Sequence, residues 1–350
     1  MKTLIAGLGS IGRRHFRNLI ALGEKDIVLL RSHRATLPDD DELAGYPVET
    51  DLAEALKKHK PEAVIVANPT SLHLDVAIPA AQAGCHILLE KPVSNSLDRL
   101  DVLQKAAQKS GSKILVGFQF RYHPTLNKAR ELIQQGALGK ILTVHSHWGE
   151  YLPNWHPWED YRQSYAARAD LGGGVIVTVT HPLDYLRFLL GDVESLWSFN
   201  EHVSPLEIDV DDIAEIGLKF SNGAIGSVHL NYVQRPPIHR LEIVGTQGTL
   251  RWDDADGILH FFKMPAEFGT WNDNPPAAVV EQYKLPDGFE RNQLFVAQTR
   301  HFVETVRGES EPVCSLEDGI QALRLALAAK ESARNKALVH LNSQDVLWKK

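Results

Sequence analysis

The apolar positions in the first third of the chain fall into short runs, separated by longer segments of mixed apolar and polar character. The runs predict β-strands at 3–6, 27–31, 63–67, 86–89 and 113–118. The segments between them predict helices at 13–22, 51–58, 71–84 and 96–109. Short apolar strands that alternate with helices are typical of a parallel sheet covered by helices on both faces. The pattern therefore predicts an α/β domain over residues 1–120.

The pattern changes close to residue 121, where strands begin to dominate. After one more helix at 125–135, strands are predicted at 141–149, 193–202, 212–220, 224–233, 238–245 and 249–252. Asn222-Gly223 between two alternating runs is a hairpin signal, which favours antiparallel pairing. Helices at 292–307 and 316–335 close the chain, and the Pro-rich stretch 264–286 is predicted to be a surface excursion. Residues 121–350 are thus expected to form an α+β second domain.

A glycine-rich turn follows the first strand directly. Gly7, Gly9 and Gly12 form a GxGxxG pattern that encloses Ser10 and Ile11 and runs into the first helix. Gly7 permits a tight turn, Gly9 leaves room for a pyrophosphate, and Gly12 lets the helix pack close to the strand. The phosphates would lie at the helix N-terminus, where backbone N–H groups and the helix dipole favour negative charge. An ordinary Gly-rich turn is the alternative, but the strand–turn–helix context favours a dinucleotide site.

The end of the second strand bears on which cofactor is bound. NAD-selective sites place an acidic residue there to bind the ribose 2′-hydroxyl. This chain instead has Arg31, Ser32, His33 and Arg34. Guanidinium groups pair with phosphate through forked hydrogen bonds, so the sequence predicts that NADP(H) is preferred and that NAD(H) is possible. The alternative is that Arg31 and Arg34 are solvated loop charges.

Two later strand ends open onto the same edge of the predicted sheet, which is where open α/β sheets bind ligands. The first supplies Asn68 and Pro69, with His73 close behind, and the second supplies Glu90 and Lys91 followed by proline. These residues complete the predicted cofactor-binding set. Taken alone, a Lys-Pro pair is more often a surface loop, so its position at this edge is what favours a functional role.

Bulk properties narrow the function classes. The chain has 350 residues, enough for two domains, and a formal net charge of −7, which argues against general nucleic-acid binding. Its two cysteines, Cys85 and Cys314, lie far apart and indicate a reducing compartment. No signal peptide, membrane span or metal-ligand spacing is visible, so a cytoplasmic protein without a metal is expected.

Two further stretches carry candidate substrate chemistry. Gly172-Gly173-Gly174 predicts the start of a continuous helix through Leu190, with a polar His181 in an apolar run. A satisfied core histidine is the alternative to a functional one. The stretch 151–165 is dense in aromatic and charged side chains, which suits carbohydrate but also a packed loop. The candidates for binding sugar hydroxyls or a substrate charge are Arg121, Asp160, Arg162, Tyr165 and His181.

Together these motifs resemble the Gfo/Idh/MocA oxidoreductases. The resemblance rests on the N-terminal GxGxxG, the strand that ends in Glu90-Lys91-Pro92, the segment Arg121-Tyr122-His123-Pro124 and the glycine-led His181-x-x-Asp184 helix. It implies a Rossmann domain followed by an α/β domain with a large, mostly antiparallel open sheet. It further implies NAD(P)-linked redox chemistry, mostly on sugars and cyclitols, and assembly into homodimers or homotetramers through that sheet.

The resemblance also assigns residues. Lys91 matches the family's active-site lysine, and His181 matches the histidine of the second-domain helix. The family often has an aspartate four residues before that histidine, a place taken here by Val177, or by Thr178 if a gap is allowed. We assign His181 as the general acid/base and Lys91 as the group that holds the reacting oxygen. Two alternatives stay open, an enzyme that recycles a tightly bound cofactor and a non-catalytic sensor of nucleotides or sugars.

Overall fold

The first half of the chain folds around a parallel sheet. A computed structural model describes residues 1–31, 41–263 and 279–341. The six strands are β1 (Thr3–Ala6), β2 (Ile27–Leu30), β3 (Val48–Glu49), β4 (Ala63–Val66), β5 (His86–Leu89) and β6 (Ile114–Val116). They are parallel and ordered β3-β2-β1-β4-β5-β6, so the strand order reverses at β1 and β4. A ligand crevice forms at such a reversal in an open α/β sheet.

Helices connect these strands as predicted. They are α1 (Ser10–Ala21), α2 (Leu52–His59), α3 (His73–Gln82) and α4 (Leu100–Ser110), and α5 (Pro124–Gln134) follows the sheet. Strands β1 and β4 are completely buried, as their unbroken apolar runs indicate. The predicted parallel α/β fold is confirmed. The short edge strand β3 was not predicted, because two residues carry no periodicity of their own.

The second half folds around a nine-stranded sheet. Its strands are β7 (Ile141–Tyr151), β8 (Val193–Glu201), β9 (Ile213–Phe220), β10 (Ile225–Asn231), β11 (Val233–Gly245), β12 (Gly248–Asp253), β13 (Ile258–Lys263), β14 (Val279–Lys284) and β15 (Val339–His340). The order is β14-β13-β12-β11-β7-β10-β9-β8-β15, and every pair except β7–β10 is antiparallel. The mostly antiparallel sheet is therefore confirmed, including the β9–β10 hairpin.

Strand β14 corrects one prediction. It lies within the stretch 264–286, which was expected to be a surface excursion. Its residues pair with β13 over the full length of that strand, from Ile258 opposite Lys284 to Lys263 opposite Val279. An edge strand of this kind depends on its partner, and the Pro-rich context before it obscured the pattern.

The helix after the three glycines is also not as predicted. Instead of one continuous helix there are two, α6 (Val175–Thr178) and α7 (His181–Leu190). The break follows from Pro182, because proline has no N–H to donate to the carbonyl of Thr178 four residues earlier. His181 thus lies at the first position of α7 and not in the interior of a helix.

The last two helices link the halves of the molecule. Helix α8 (Asn292–Val306) and helix α9 (Leu316–Asn335) follow the second sheet. Ile320 and Leu323 of α9 belong to the apolar core of the parallel sheet, whereas Ala326 and Ala329 belong to the core of the antiparallel sheet. Within the three described ranges, no helix is both long enough and apolar enough to cross a membrane.

Candidate active site

The glycine turn has the geometry of a dinucleotide site. Gly7 has φ +94°, and a Cβ there would come within 2.6 Å of the backbone of Ala67 and Asn68. A Cβ on Gly12 would lie 1.9 Å from the carbonyl oxygen of Gly7. Gly9 differs from both, since nothing lies within 4 Å of a Cβ built on it. The first and third glycines are thus required by the fold, and the second faces open space where a pyrophosphate would lie.

The helix that follows this turn offers a fitting set of donors. Helix α1 begins at Ser10, and its first turn contains no acidic residue. The N–H groups of Ser10, Ile11 and Gly12 have no partner four residues back within the helix. Such N–H groups at the start of a helix, together with the helix dipole, favour an anion. The residues present therefore fit a dinucleotide.

The predicted rim of this site is described only in part. Arg31 follows β2, is half-buried, and donates its backbone N–H to the carbonyl of Glu49. Ser32 and Arg34 lie outside the described residues. His73 is buried, and its ring nitrogens contact the backbone oxygens of Asn68 and Pro92 at 2.9 Å each. It therefore braces the two loops at the sheet edge, one of which contains Asn68 and Pro69.

Glu90 is a buried carboxylate at the end of β5. Its Oε1 lies 2.7 Å from Nε2 of His15, and its Oε2 accepts from the backbone N–H of Lys91. Burial by itself would raise the pKa of Glu90, but the hydrogen bond and charge of His15 outweigh it, so the pKa lies below its usual value. A Cβ on Gly117 would come within 3.0 Å of this carboxylate, so the glycine makes room for it. Glu90 thus supports the loop that presents Lys91.

Lys91 is half-buried and held by the main chain of the second domain. Its Nζ donates to the carbonyl oxygen of Thr178 at 2.8 Å. That carbonyl is the one that Pro182 leaves without a helical partner, so the break between α6 and α7 creates the acceptor. Burial lowers the pKa of Lys91, Glu90 and Glu150 partly offset this, and Arg291 adds to it. The result is a cation fixed at the junction of the two domains.

His181 lies close to Lys91 in a mostly aromatic environment. Its ring contacts Phe120 and Trp148, with centroids 5.2 and 5.4 Å away. The side-chain nitrogen of Gln119 is 3.3 Å from Nε2, while Nδ1 is buried without a hydrogen-bond partner among the described residues. Burial lowers the pKa of His181 well below its usual value, and the charge of Lys91 lowers it further. Its imidazole is therefore neutral at neutral pH, and the Gln119 amide, which can only donate, leaves Nε2 as the unprotonated ring nitrogen.

Some predicted substrate contacts lie elsewhere. Arg121 is buried and donates to Asp184 at 2.8 Å and to the carbonyl of Val313, so it ties α7 to the segment before α9. Asp160 and Arg162 are exposed and paired with each other at 2.8 Å. No contact within the described chain links these three residues to Lys91 or His181.

Tyr165, in contrast, lies near the site. Burial raises the pKa of its phenol, and the charge of Glu90 raises it further. Among the predicted substrate residues of the stretch 151–165, Tyr165 is the one whose side chain interacts with Glu90, the residue before Lys91.

A charged network around the buried His239, beside the site, was not predicted. Glu150 on β7 lies 2.6 Å from Nε2 of His239 on β11, and Nδ1 of the same ring lies 3.1 Å from Asp254. Arg14 and Arg291 were also missed, and Arg14 stacks over Phe295 at 4.3 Å. The sequence contained one indication that Glu150 faces inward, because it lies on the same face of β7 as the buried residues Val144, Ser146 and Trp148. The described residues contain no group of three or more side chains arranged for a metal ion.

Family models cover both halves of the chain. Residues 1–118 match the oxidoreductase-family NAD-binding Rossmann fold, and residues 130–341 match the C-terminal alpha/beta domain of the same family. The protein belongs to the Gfo/Idh/MocA oxidoreductase family. Its first half is accordingly the NAD-binding Rossmann fold of an enzyme in this family.

Several relatives match along nearly the whole length of the chain. The uncharacterized oxidoreductase YrbE of Bacillus subtilis is 28% identical over 94% of this chain and 93% of its own. Myo-inositol 2-dehydrogenase of Thermotoga maritima is 25% identical over 97% and 98%. A solved structure of levoglucosan dehydrogenase with NADH and levoglucosan matches with a TM-score of 0.83 at 21% identity, over 98% of this chain and 100% of that one. The match to levoglucosan dehydrogenase shows that the two proteins have the same fold.

Proposed function

We propose that this protein is an NAD(P)-dependent dehydrogenase that acts on a secondary alcohol of a sugar, a sugar derivative or a cyclitol. The observation that carries the proposal is the hydrogen bond from Nζ of Lys91, on the sheet edge that also carries the glycine turn, to the carbonyl of Thr178, three residues before His181. The relatives named for myo-inositol and levoglucosan support the substrate class. The cofactor, when bound, exchanges a hydride with the carbon that bears the hydroxyl.

Each residue has a role that follows from its surroundings. The neutral imidazole of His181 has its unprotonated nitrogen at Nε2, to which the Gln119 amide donates, and this nitrogen accepts the hydroxyl proton during oxidation and returns it during reduction. The ammonium of Lys91 holds the same oxygen and stabilises the negative charge that develops on it. Tyr165, whose phenol interacts with the charge of Glu90, is the residue we assign to a further hydroxyl. The cluster thus combines a proton acceptor with a cation, as alcohol oxidation needs.

Steady-state turnover with a panel of sugars and cyclitols tests this function. We expect oxidation of at least one panel member with added NAD⁺ or NADP⁺, followed by absorbance of the reduced cofactor. Cofactor fluorescence in the purified protein, with turnover that needs no added cofactor, would favour the recycling enzyme. Cofactor and sugar binding without turnover would favour the sensor and contradict the dehydrogenase.

We further propose that NADP(H) is preferred, because Arg31 follows β2 where an acidic residue would select NAD. We expect NADPH to bind at least ~10-fold tighter than NADH, a difference of about 1.4 kcal/mol. Arg31→Ala should remove most of this difference, since it takes away the forked donor to a 2′-phosphate. Fluorescence titrations with both cofactors measure the effect. Arg251→Ala on the distant strand β12 is the control, and equal affinities in the unmodified protein would refute the preference.

The antiparallel sheet is the surface through which we propose a homodimer or homotetramer. Trp197 and Phe199 on β8 and Ile225 on β10 are 46%, 67% and 63% exposed on one face of it. Exposed apolar groups of this kind on a sheet indicate an interaction surface. A small-molecule substrate and a cytoplasmic location also remain predictions.

Introducing charge on this face tests the assembly. The double variant Trp197→Glu/Phe199→Glu is expected to shift the protein to the monomer in sedimentation velocity, because burying two carboxylates in an apolar contact is unfavourable. Trp158→Glu is a matched control, since Trp158 is 60% exposed but lies outside the sheet. Oligomers that persist in the double variant would place the interface elsewhere.

A further inference from the structure

A carboxylate from β7 lies beside the proposed reacting centre. Trp148 on β7 is directly opposite His239 on β11, and the two rings are stacked with centroids 3.7 Å apart. His181 contacts the same indole, with its ring centroid 5.4 Å from that of Trp148. Glu150 follows Trp148 by two residues and therefore projects from the same face of the strand. The pairing of β7 with β11 is irregular between Gly149 and Tyr151, where β11 carries extra residues.

One oxygen of this carboxylate is fixed and the other is available. Oε1 of Glu150 accepts from Nε2 of His239 at 2.6 Å, and Asp254 holds Nδ1 of that ring at 3.1 Å. Burial would lower the pKa of His239, but the two carboxylates outweigh it and raise the pKa above its usual value. The ring can therefore donate from both nitrogens. Oε2 of Glu150 accepts no hydrogen bond from the described residues, and the side chain is only half-buried.

Helix α6 supplies no carboxylate to the site, since its residues are Val175, Ile176, Val177 and Thr178. We infer that Glu150 provides the carboxylate of the substrate pocket, and that its Oε2 accepts a hydroxyl next to the one held by Lys91 and His181. His239 and Asp254 are positioning residues that fix the orientation of Glu150. This inference rests on the proposed function, and it narrows the substrate to a polyol with at least two neighbouring free hydroxyls.

The charges around the site give the inference a second readout. Lys91 faces Glu90, Glu150 and Arg291, and His181 faces Lys91, Arg291 and His239. The negative charge of Glu150 favours the ammonium form of Lys91. Removing that charge should therefore lower the pKa of Lys91 and move the alkaline limb of the pH–rate profile to lower pH. This shift reports the charge of Glu150 beside Lys91, whereas the change in KM reports its hydrogen bond with the substrate.

Glu150→Gln tests the inference, because it keeps the shape and removes the charge. With the panel substrate of highest kcat/KM, we expect kcat/KM to fall about 10- to 100-fold, mostly through a higher KM, as for a lost hydrogen bond to a charged group. The affinity for NADH should stay within about twofold, because Glu150 lies off the glycine turn. His239→Gln should change KM in the same direction. Glu131→Gln, an exposed carboxylate on α5, is the matched control.

The outcomes separate this inference from the proposed function. An unchanged KM and pH profile in Glu150→Gln, with an active wild type, would overturn the inference alone. If the wild type binds a polyol by calorimetry but does not turn it over, the dehydrogenase assignment fails, and weaker binding by Glu150→Gln still supports the role of Glu150. Absence of polyol binding by the wild type overturns both. If circular dichroism shows that Glu150→Gln is unfolded, Glu150→Asp takes its place. This variant keeps the charge on a side chain that is one methylene group shorter. A normal KM in Glu150→Asp would contradict a direct hydrogen bond from the substrate to Oε2 of Glu150.

Discussion

His181→Ala and Lys91→Ala are each expected to lower kcat by about 100-fold or more, the usual scale for a general acid–base group. In the proposed reaction Lys91 supplies the cation and His181 the proton acceptor, so each variant removes one of the two groups that act on the reacting oxygen. Cofactor affinity should change far less, since the glycine turn is separate from both side chains. The measurement is kcat with a saturating polyol, together with NADPH and NADH titrations of each variant.

The pH dependence sharpens this prediction. Because the pKa of His181 lies well below its usual value, wild-type kcat should not fall as the pH decreases through the range near 6.5 where a free histidine titrates. His145→Ala, on the exposed face of β7, is the control and should leave kcat unchanged. Near-normal turnover in both His181→Ala and Lys91→Ala would show that the assignment is wrong.

Gly9→Val is expected to abolish cofactor binding while leaving the protein folded. A Cβ at this position meets nothing within 4 Å, and the backbone there is extended with φ −72° and ψ −168°, so valine is compatible with the fold. The added methyl groups instead occupy the space in front of α1 where the pyrophosphate would lie. Fluorescence titration with NADPH and NADH measures binding, and thermal melting checks the fold.

Gly12→Val is the matched comparison within the same turn. Its Cβ would lie 1.9 Å from the carbonyl oxygen of Gly7, so this variant should lose stability as well as binding. The two glycines therefore separate a ligand clash from a packing clash. A Gly9→Val protein that still bound cofactor with normal affinity would contradict the dinucleotide interpretation of the turn.

The parts of the fold that could be predicted are those with strong local patterns. Strands β1 and β4 are short, wholly apolar and flanked by helices, which leaves a parallel sheet as the reasonable solution. Strands β3 and β14 could not be found in the same way, because edge strands are defined by the neighbour with which they pair. The break before His181 had a local signal in Pro182, but the apolar run around it suggested an unbroken helix.

The candidate site likewise contains residues that the sequence could place and residues that it could not. Lys91 and the glycine turn follow strand ends, so their shared sheet edge could be inferred from topology alone. Glu150, His239 and Asp254 come from different strands and the turn after β12, and only the register of β7 with β11 brings them together. Arg121, which is predicted to contact a substrate, forms a buried ion pair with Asp184 in the structure, and nothing in the local sequence indicated that pairing.

Helix α9 has a consequence for cooperativity. Its first turns complete the core of the parallel sheet and its later turns complete the core of the antiparallel sheet, so neither core is closed without it. Residues 1–120 by themselves would expose the apolar surface that Ile320 and Leu323 cover. The two domains are therefore coupled thermodynamically, and melting of either one removes packing from the other. The nucleotide-binding domain is a separate structural unit, but its stability depends on the packing of α9 from the end of the chain.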